Sequence, residues 1–246
     1  MARQFATLVI ALALTLSATA DESLRAFDAQ YGGRFSGAKI EIDIARRVVG
    51  NDITVYKHSE PRGLARLIRR DGVIECGRYT LADSRPKPSV YSYVDGKPGR
   101  GKSTTVTFSA DGRSAASSYR DAAVTLDVSA GAVDKISEEF VAAARLAAGE
   151  TEFTLRVIER NEIHNVAYRV TATETIAVAV GEYETLVVDR RRGNSSRTTR
   201  VWLAPELAYQ PVRLQRLKDG KVQGTASLKR FSWVDQARGS VTPVCP

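Results

Sequence analysis

Ala38-Lys39-Ile40-Glu41-Ile42-Asp43-Ile44 places an apolar side chain at each even position and a charged one at each odd position between. Successive side chains of an extended chain point to opposite sides, so the segment reads as a strand with a dry face (Ala38, Ile40, Ile42, Ile44) and a wet face (Lys39, Glu41, Asp43). The same period returns in Phe153, Leu155 and Val157, then Val166, Tyr168 and Val170, then Val212 and Leu214, then Val222, Ala226 and Leu228. One-sided alternation belongs to antiparallel sheets, because parallel strands covered on both faces run apolar throughout.

The turns agree. Asp-Gly pairs stand at Asp71-Gly72, Asp95-Gly96, Asp111-Gly112 and Asp219-Gly220, and such pairs accept the positive φ of a tight hairpin. One segment opposes the pattern. From Asp134 to Ala148, Ile136, Phe140, Val141 and Ala144 follow a helical period, Asp134 caps the start, Glu138 and Glu139 suit the first turns, and Gly149 ends it. A weaker helical turn is suggested at Gly63 to Arg69. The fold expected is therefore mainly β: a strongly curved antiparallel sheet or half-open barrel of ten or more strands, with one amphipathic helix on its concave face.

The N-terminus reads as a secretory leader: Arg3, an apolar run from Phe5 to Leu16, and Ala18-Thr19-Ala20 as cleavage site. The run is too short for a bilayer-spanning helix, and no later window suits one. The expected organisation is a leader over 1–20, one β-rich domain over 21–235 and a tail over 236–246, working in the periplasm. Cys76 and Cys245 are the only cysteines. In an oxidising compartment they are candidates for a disulfide, against the plainer alternative of a buried thiol and a frayed tail.

Formal charge is +8. That surplus favours anionic envelope components over chromosomal nucleic acid in an exported protein, or serves solubility alone. No nucleic-acid partner is expected, and oligomeric state is not legible.

Gly96-Lys97-Pro98-Gly99-Arg100-Gly101-Lys102-Ser103 matches a phosphate-loop pattern letter for letter. Such a loop must open a helix, whereas the β-branched run Thr104 to Phe108 reads as strand, so a basic hairpin loop is expected. His58 and His164 have no metal-type neighbour, no serine-nucleophile motif is present, and the acidic pairs Glu138-Glu139 and Glu182/Glu184 read as solvated. No metal, cofactor or catalytic residue is assigned. From Arg190 to Arg200, arginines stand on both arms of an expected hairpin, and their planar forks suit phosphate or carboxylate.

Three stretches then carry a resemblance: Val180-Gly181-Glu182-Tyr183-Glu184-Thr185, Arg197-Thr198-Thr199-Arg200-Val201-Trp202-Leu203-Ala204-Pro205-Glu206-Leu207, and Tyr209-Gln210-Pro211-Val212-Arg213. With Phe27-Asp28-Ala29-Gln30-Tyr31-Gly32-Gly33 upstream, they resemble the exported proteins of domain of unknown function 3108. The resemblance implies a periplasmic β-rich fold, akin by analogy to curved sheets with an inner helix in lipoprotein carriers, and brings no mechanism. Within it, Arg213 is expected to pair with Glu206 or Glu184, or else to join Arg200 and Trp202 in a site. Arg197, Arg200, Trp202 and Arg213 are the candidate ligand-binding residues. Three functions compete: a non-catalytic envelope protein holding an apolar or lipid-like ligand with an anionic head, a protein-interaction or assembly factor, and a hydrolase with an unrecognised carboxylate pair.

Overall fold

The structure, a computed structural model, describes residues 24–64, 72–83, 85–96, 102–120, 122–235 and 245. The expected leader, the helical turn beyond Leu64, the 97–101 part of the basic loop and the tail, Cys245 excepted, lie outside the described residues.

Among the described residues, fourteen strands form one antiparallel sheet: β1 (Phe27–Phe35), β2 (Ala38–Val49), β3 (Asp52–Arg62), β4 (Val73–Ala82), β5 (Arg85–Asp95), β6 (Lys102–Phe108), β7 (Ser114–Tyr119), β8 (Ala122–Asp127), β9 (Glu152–Glu159), β10 (Glu162–Val178), β11 (Gly181–Arg192), β12 (Arg197–Ala204), β13 (Gln210–Lys218) and β14 (Lys221–Trp233). The spatial order runs from β8 back to β1, then β14 back to β9, so the two chain halves join at the β1 and β14 pair, while β8 and β9 form the edges. Asp219 and Gly220 both take positive φ in the β13–β14 hairpin, as their sequence requires.

The sheet is rolled but not closed. Its two edges face each other, because Asn161, in the turn after β9, donates to Ala122 O at the start of β8, and Ser117 on β7 donates to Arg160 O. Val133, in the segment after β8, pairs with β9: its amide donates to Arg156 O, and the Ile158 amide donates to Val133 O.

The helix α1 (Ser137–Ala147) lies inside this roll, since it packs against both halves: Ile136 and Phe140 with Ile53, Tyr79 and Tyr91, Ala142 and Leu146 with Leu155, Tyr168 and Val188. It begins at Ser137, later than expected, because Asp134 closes a separate turn by accepting the amides of Ile136 and Ser137. The inward stripe also differs from the expected one. Ala144 is exposed, whereas Glu138, Ala142 and Leu146 are buried. The helix is rotated to bring Glu138 inward, which is tolerable only where the carboxylate is neutralised. Lys102 and Ser103 open a strand paired with Asp95 and Val94, so the phosphate-loop pattern leads into sheet, as expected.

Cys76 and Cys245 are bonded, with Cα atoms 5.5 Å apart.

Candidate functional site

Chemistry-bearing side chains gather in three places. The first is the layer between α1 and the inner sheet face. Asp134 accepts the Tyr79 hydroxyl at 3.0 Å, two backbone amides and the Ser137 hydroxyl. Burial holds its carboxyl above the ordinary range even though these donors pull the other way. Glu138 accepts the Tyr168 hydroxyl at 2.6 Å and both arms of the Arg190 fork at 2.7 and 2.8 Å. Burial works to lower the Arg190 pKa, but bonding to Glu138 and its charge raise it overall. Glu139 pairs with Lys57. Arg46 extends the inward row Ile40, Ile42, Ile44 and lies 4.7 Å over the Phe27 ring and 4.8 Å over Phe140. Burial lowers its pKa to about 10, opposed by the Glu139 charge.

These groups are consumed by one another. Asp134 ties the helix entry to β4, and Glu138 ties the first helical turn to β10 and β11. A carboxylate pair for hydrolysis needs one member held protonated and open to substrate. Asp134 is the raised carboxyl, yet it is fully buried and surrounded by protein donors. Among the described residues, no group of three or more His, Cys, Asp or Glu side chains could hold a metal.

The second place holds the residues singled out from sequence. Arg200 forms a bidentate pair with Asp189 at 2.7 and 2.9 Å. Trp202 is buried, with its indole N–H donating to Glu174 at 2.9 Å. Arg213 was expected either to pair with Glu206 or Glu184 or to join Arg200 and Trp202. Its guanidinium lies 5.7 Å from the Trp202 ring centroid and donates to Ala177 O, the second alternative, because the far end of the β10–β11 hairpin reaches across to β13. Arg200, Trp202 and Arg213 thus come together as a brace. Arg197 sits apart, exposed at the other end of β12. In the arginine-rich hairpin, Arg190 and Arg192 are paired with Glu138 and Glu159.

The third place is the seam between the sheet edges. Val128 donates to Arg113 O, and since bonded pairs alternate along an antiparallel ladder, Ala122, Val124 and Leu126 direct their backbone groups to β7. Ala123, Thr125 and Asp127 therefore direct theirs away from the sheet. The β8 side chains are exposed along nearly the whole strand. The opposite edge, β9, is partly covered by Val133 and by Arg145, which donates to Thr154 O. Where the β9–β10 turn meets β7, a cleft of about 270 Å³ is lined by Tyr119, Arg160, Asn161, Glu162, His164 and their neighbours. Burial works to raise the Glu159 carboxyl there, but Lys135, Arg192 and Arg160 together hold it below the ordinary range.

Sequence reading missed the buried Asp134, Glu138 and Tyr168 layer and the seam. A helical-period test that admits Glu138 with Ala142 and Leu146 would have found the first; nothing local marks the second.

A family model described as protein of unknown function, DUF3108, matches residues 26–227. Among solved structures, the chain is similar to a β-barrel-like protein of domain of unknown function DUF1849 from Brucella abortus, with a TM-score of 0.58 and 8% identity over 86% of this chain and 99% of that one. That likeness concerns the fold alone. A structure of MucB aligns with a TM-score of 0.37 and 9% identity over 91% of this chain and 58% of that one, too distant to carry an argument. No curated protein matches.

Proposed function

The chain belongs to the family described as protein of unknown function DUF3108, and within it we propose that this member acts without catalysis, as an exported envelope protein that docks an extended segment of another protein along β8. The observation that carries this is that, among the described residues, no strand pairs with the outer edge of β8, where the backbone groups of Ala123, Thr125 and Asp127 turn outward. Unpaired strand edges accept a further strand, whose main chain supplies affinity and whose alternate side chains supply selectivity.

Two features favour this over an apolar or lipid-like ligand. The concave face where such a ligand would lie carries α1, with Ile136, Ala142 and Leu146 buried against the sheet. Of the candidate ligand-binding arginines, Arg200 is engaged by Asp189 and Arg213 lies over Trp202, leaving Arg197 exposed, and in the same hairpin Arg190 is engaged by Glu138. Export is supported by the leader signature and by the disulfide, which persists in oxidising compartments.

The test is photocrosslinking in cells from a reactive residue at position 125. A discrete adduct that disappears when the same probe sits at Arg197, and that Thr125→Pro prevents with the probe moved to Ala123, supports docking at β8. Adducts only from Arg197, or adducts from Ala123 indifferent to the proline, overturn it.

A further inference from the structure

Arg120 and Arg160 stand on different strand ends, yet each guanidinium lies 5.2 Å from the centroid of the Tyr119 ring. Each is also a bulky residue in the left-handed region, with φ of 55° and 62°, a conformation that glycine or asparagine adopts at lower cost. Tyr119 is half-buried at the end of β7 and forms a wall of the 270 Å³ cleft. Asn161, on the same turn as Arg160, is anchored to Ala122 O, and Arg160 O accepts from Ser117. The turn is therefore held in place against β7 by groups other than the arginine forks.

An arginine laid on an aromatic face keeps its N–H edges free, and the ring fixes the plane in which they point. Such a fork is prepared for a tetrahedral or planar oxyanion. Among the described residues, Arg120, Arg160 and Arg192 stand here against Glu159 and Glu162, a surplus of one cation. Glu159 is bonded to Arg192 at 2.7 Å and shares its charge with Lys135 and Arg160. Glu162, 76% exposed, stands at the rim near His164, 3.4 Å from its Nε2, and is free to turn into solvent. Arg160 lines the cleft and Arg120 lies on the same ring beside it; two nearby cations favour a doubly charged group over a singly charged one, and the volume suits a single compact headgroup rather than a long chain.

We propose that this cleft is an oxyanion site that binds a phosphate group through Arg160, which lines it, with Arg120 adding its charge from the same Tyr119 ring. The phosphate comes from free inorganic phosphate or from the headgroup of an envelope lipid. The site is independent of strand docking at β8, and Thr125→Pro is expected to leave it intact.

The experiment titrates inorganic phosphate into the uniformly labelled full chain and follows the His164 and arginine side-chain resonances at constant ionic strength. Saturable shifts at His164 and at two arginines are expected, with affinity falling at least tenfold in Arg160→Ala and in Arg120→Ala and unchanged in Arg197→Ala. Arg160→Lys, which keeps charge and fold but not the fork, is expected to lose most of the affinity as well. A second arm sediments the protein with phosphatidylcholine vesicles with and without phosphatidic acid. Pelleting that requires phosphatidic acid and both arginines assigns the lipid source, and saturable phosphate binding without pelleting assigns the free anion. Shifts that never saturate, or an Arg197→Ala effect equal to that of Arg160→Ala, overturn the site.

Discussion

Arg190 on β11 grips Glu138 on α1 through two parallel hydrogen bonds, Nε to Oε1 at 2.7 Å and Nη2 to Oε2 at 2.8 Å. The glutamate side chain is 3% exposed, whereas the arginine keeps 28%. Truncating the arginine alone leaves a buried carboxylate without its partner. Arg190→Met is expected to cost about 3 kcal/mol, the lower end for a broken buried pair because water still reaches this side. Glu138→Leu with Arg190→Met is expected to recover most of the loss. Urea unfolding midpoints of the two single variants and the double variant measure it, and strictly additive losses would show that the pair has no coupling.

Tyr31, Tyr79, Tyr91 and Tyr168 all resist ionisation. Burial is the leading cause at each, joined by Glu139 at Tyr31, Asp134 at Tyr79, Glu75 at Tyr91 and Glu138 at Tyr168. An unfolded tyrosine releases its proton near pH 10, while these four hold theirs to higher pH. Their contribution to stability is thus complete below about pH 10 and is lost as pH rises beyond it. Tyrosinate absorbance is expected to rise in two stages, exposed rings first and the buried group together with loss of far-ultraviolet β signal. A single smooth titration with the sheet intact would contradict the burial.

Strand identity was legible wherever one face is dry, as at Ile40, Ile42 and Ile44, and the Asp219-Gly220 turn was legible because its residues suit positive φ. The continuation of that dry face to Arg46 was not, since a cation there makes sense only once Phe27 and Phe140, from distant segments, enclose it. The turn at Arg160 was missed for the opposite reason: arginine has no turn preference, so its left-handed backbone leaves no local mark. Glu138 read as solvated because its neutralising partners, Tyr168 and Arg190, lie on strands with no local relation to the helix.

Cys76 on β4 is tied to Cys245 across a sequence separation of 169. Closing a loop of that length is worth about 5 kcal/mol in the chain-entropy model. Cys76→Ser with Cys245→Ser is expected to lower the urea midpoint without altering the circular dichroism of the folded state, since the three apolar clusters remain. Peptide mapping without reductant is expected to recover the two cysteine peptides joined. Equal midpoints for wild type and double variant would place the stabilisation elsewhere.

Thr125 and Val124 are neighbours on β8 with opposite backbone directions. Val124 lies opposite Ser117 in the ladder that includes the Val128 amide to Arg113 O bond, so its amide serves β7. The Thr125 amide faces outward. Proline removes an amide donor and fixes φ near that of an extended strand. Val124→Pro is therefore expected to cost about 3 kcal/mol and loosen the β7–β8 pairing, while Thr125→Pro, on the unpaired side, is expected to change stability by less than about 1 kcal/mol. Hydrogen exchange separates the two: faster exchange at Ser117 and Ala115, whose amides face β8, is expected in the first variant and near wild-type protection in the second. If Thr125→Pro unfolds β8 as readily as Val124→Pro, the outward direction of its amide is wrong, and the docking edge goes with it.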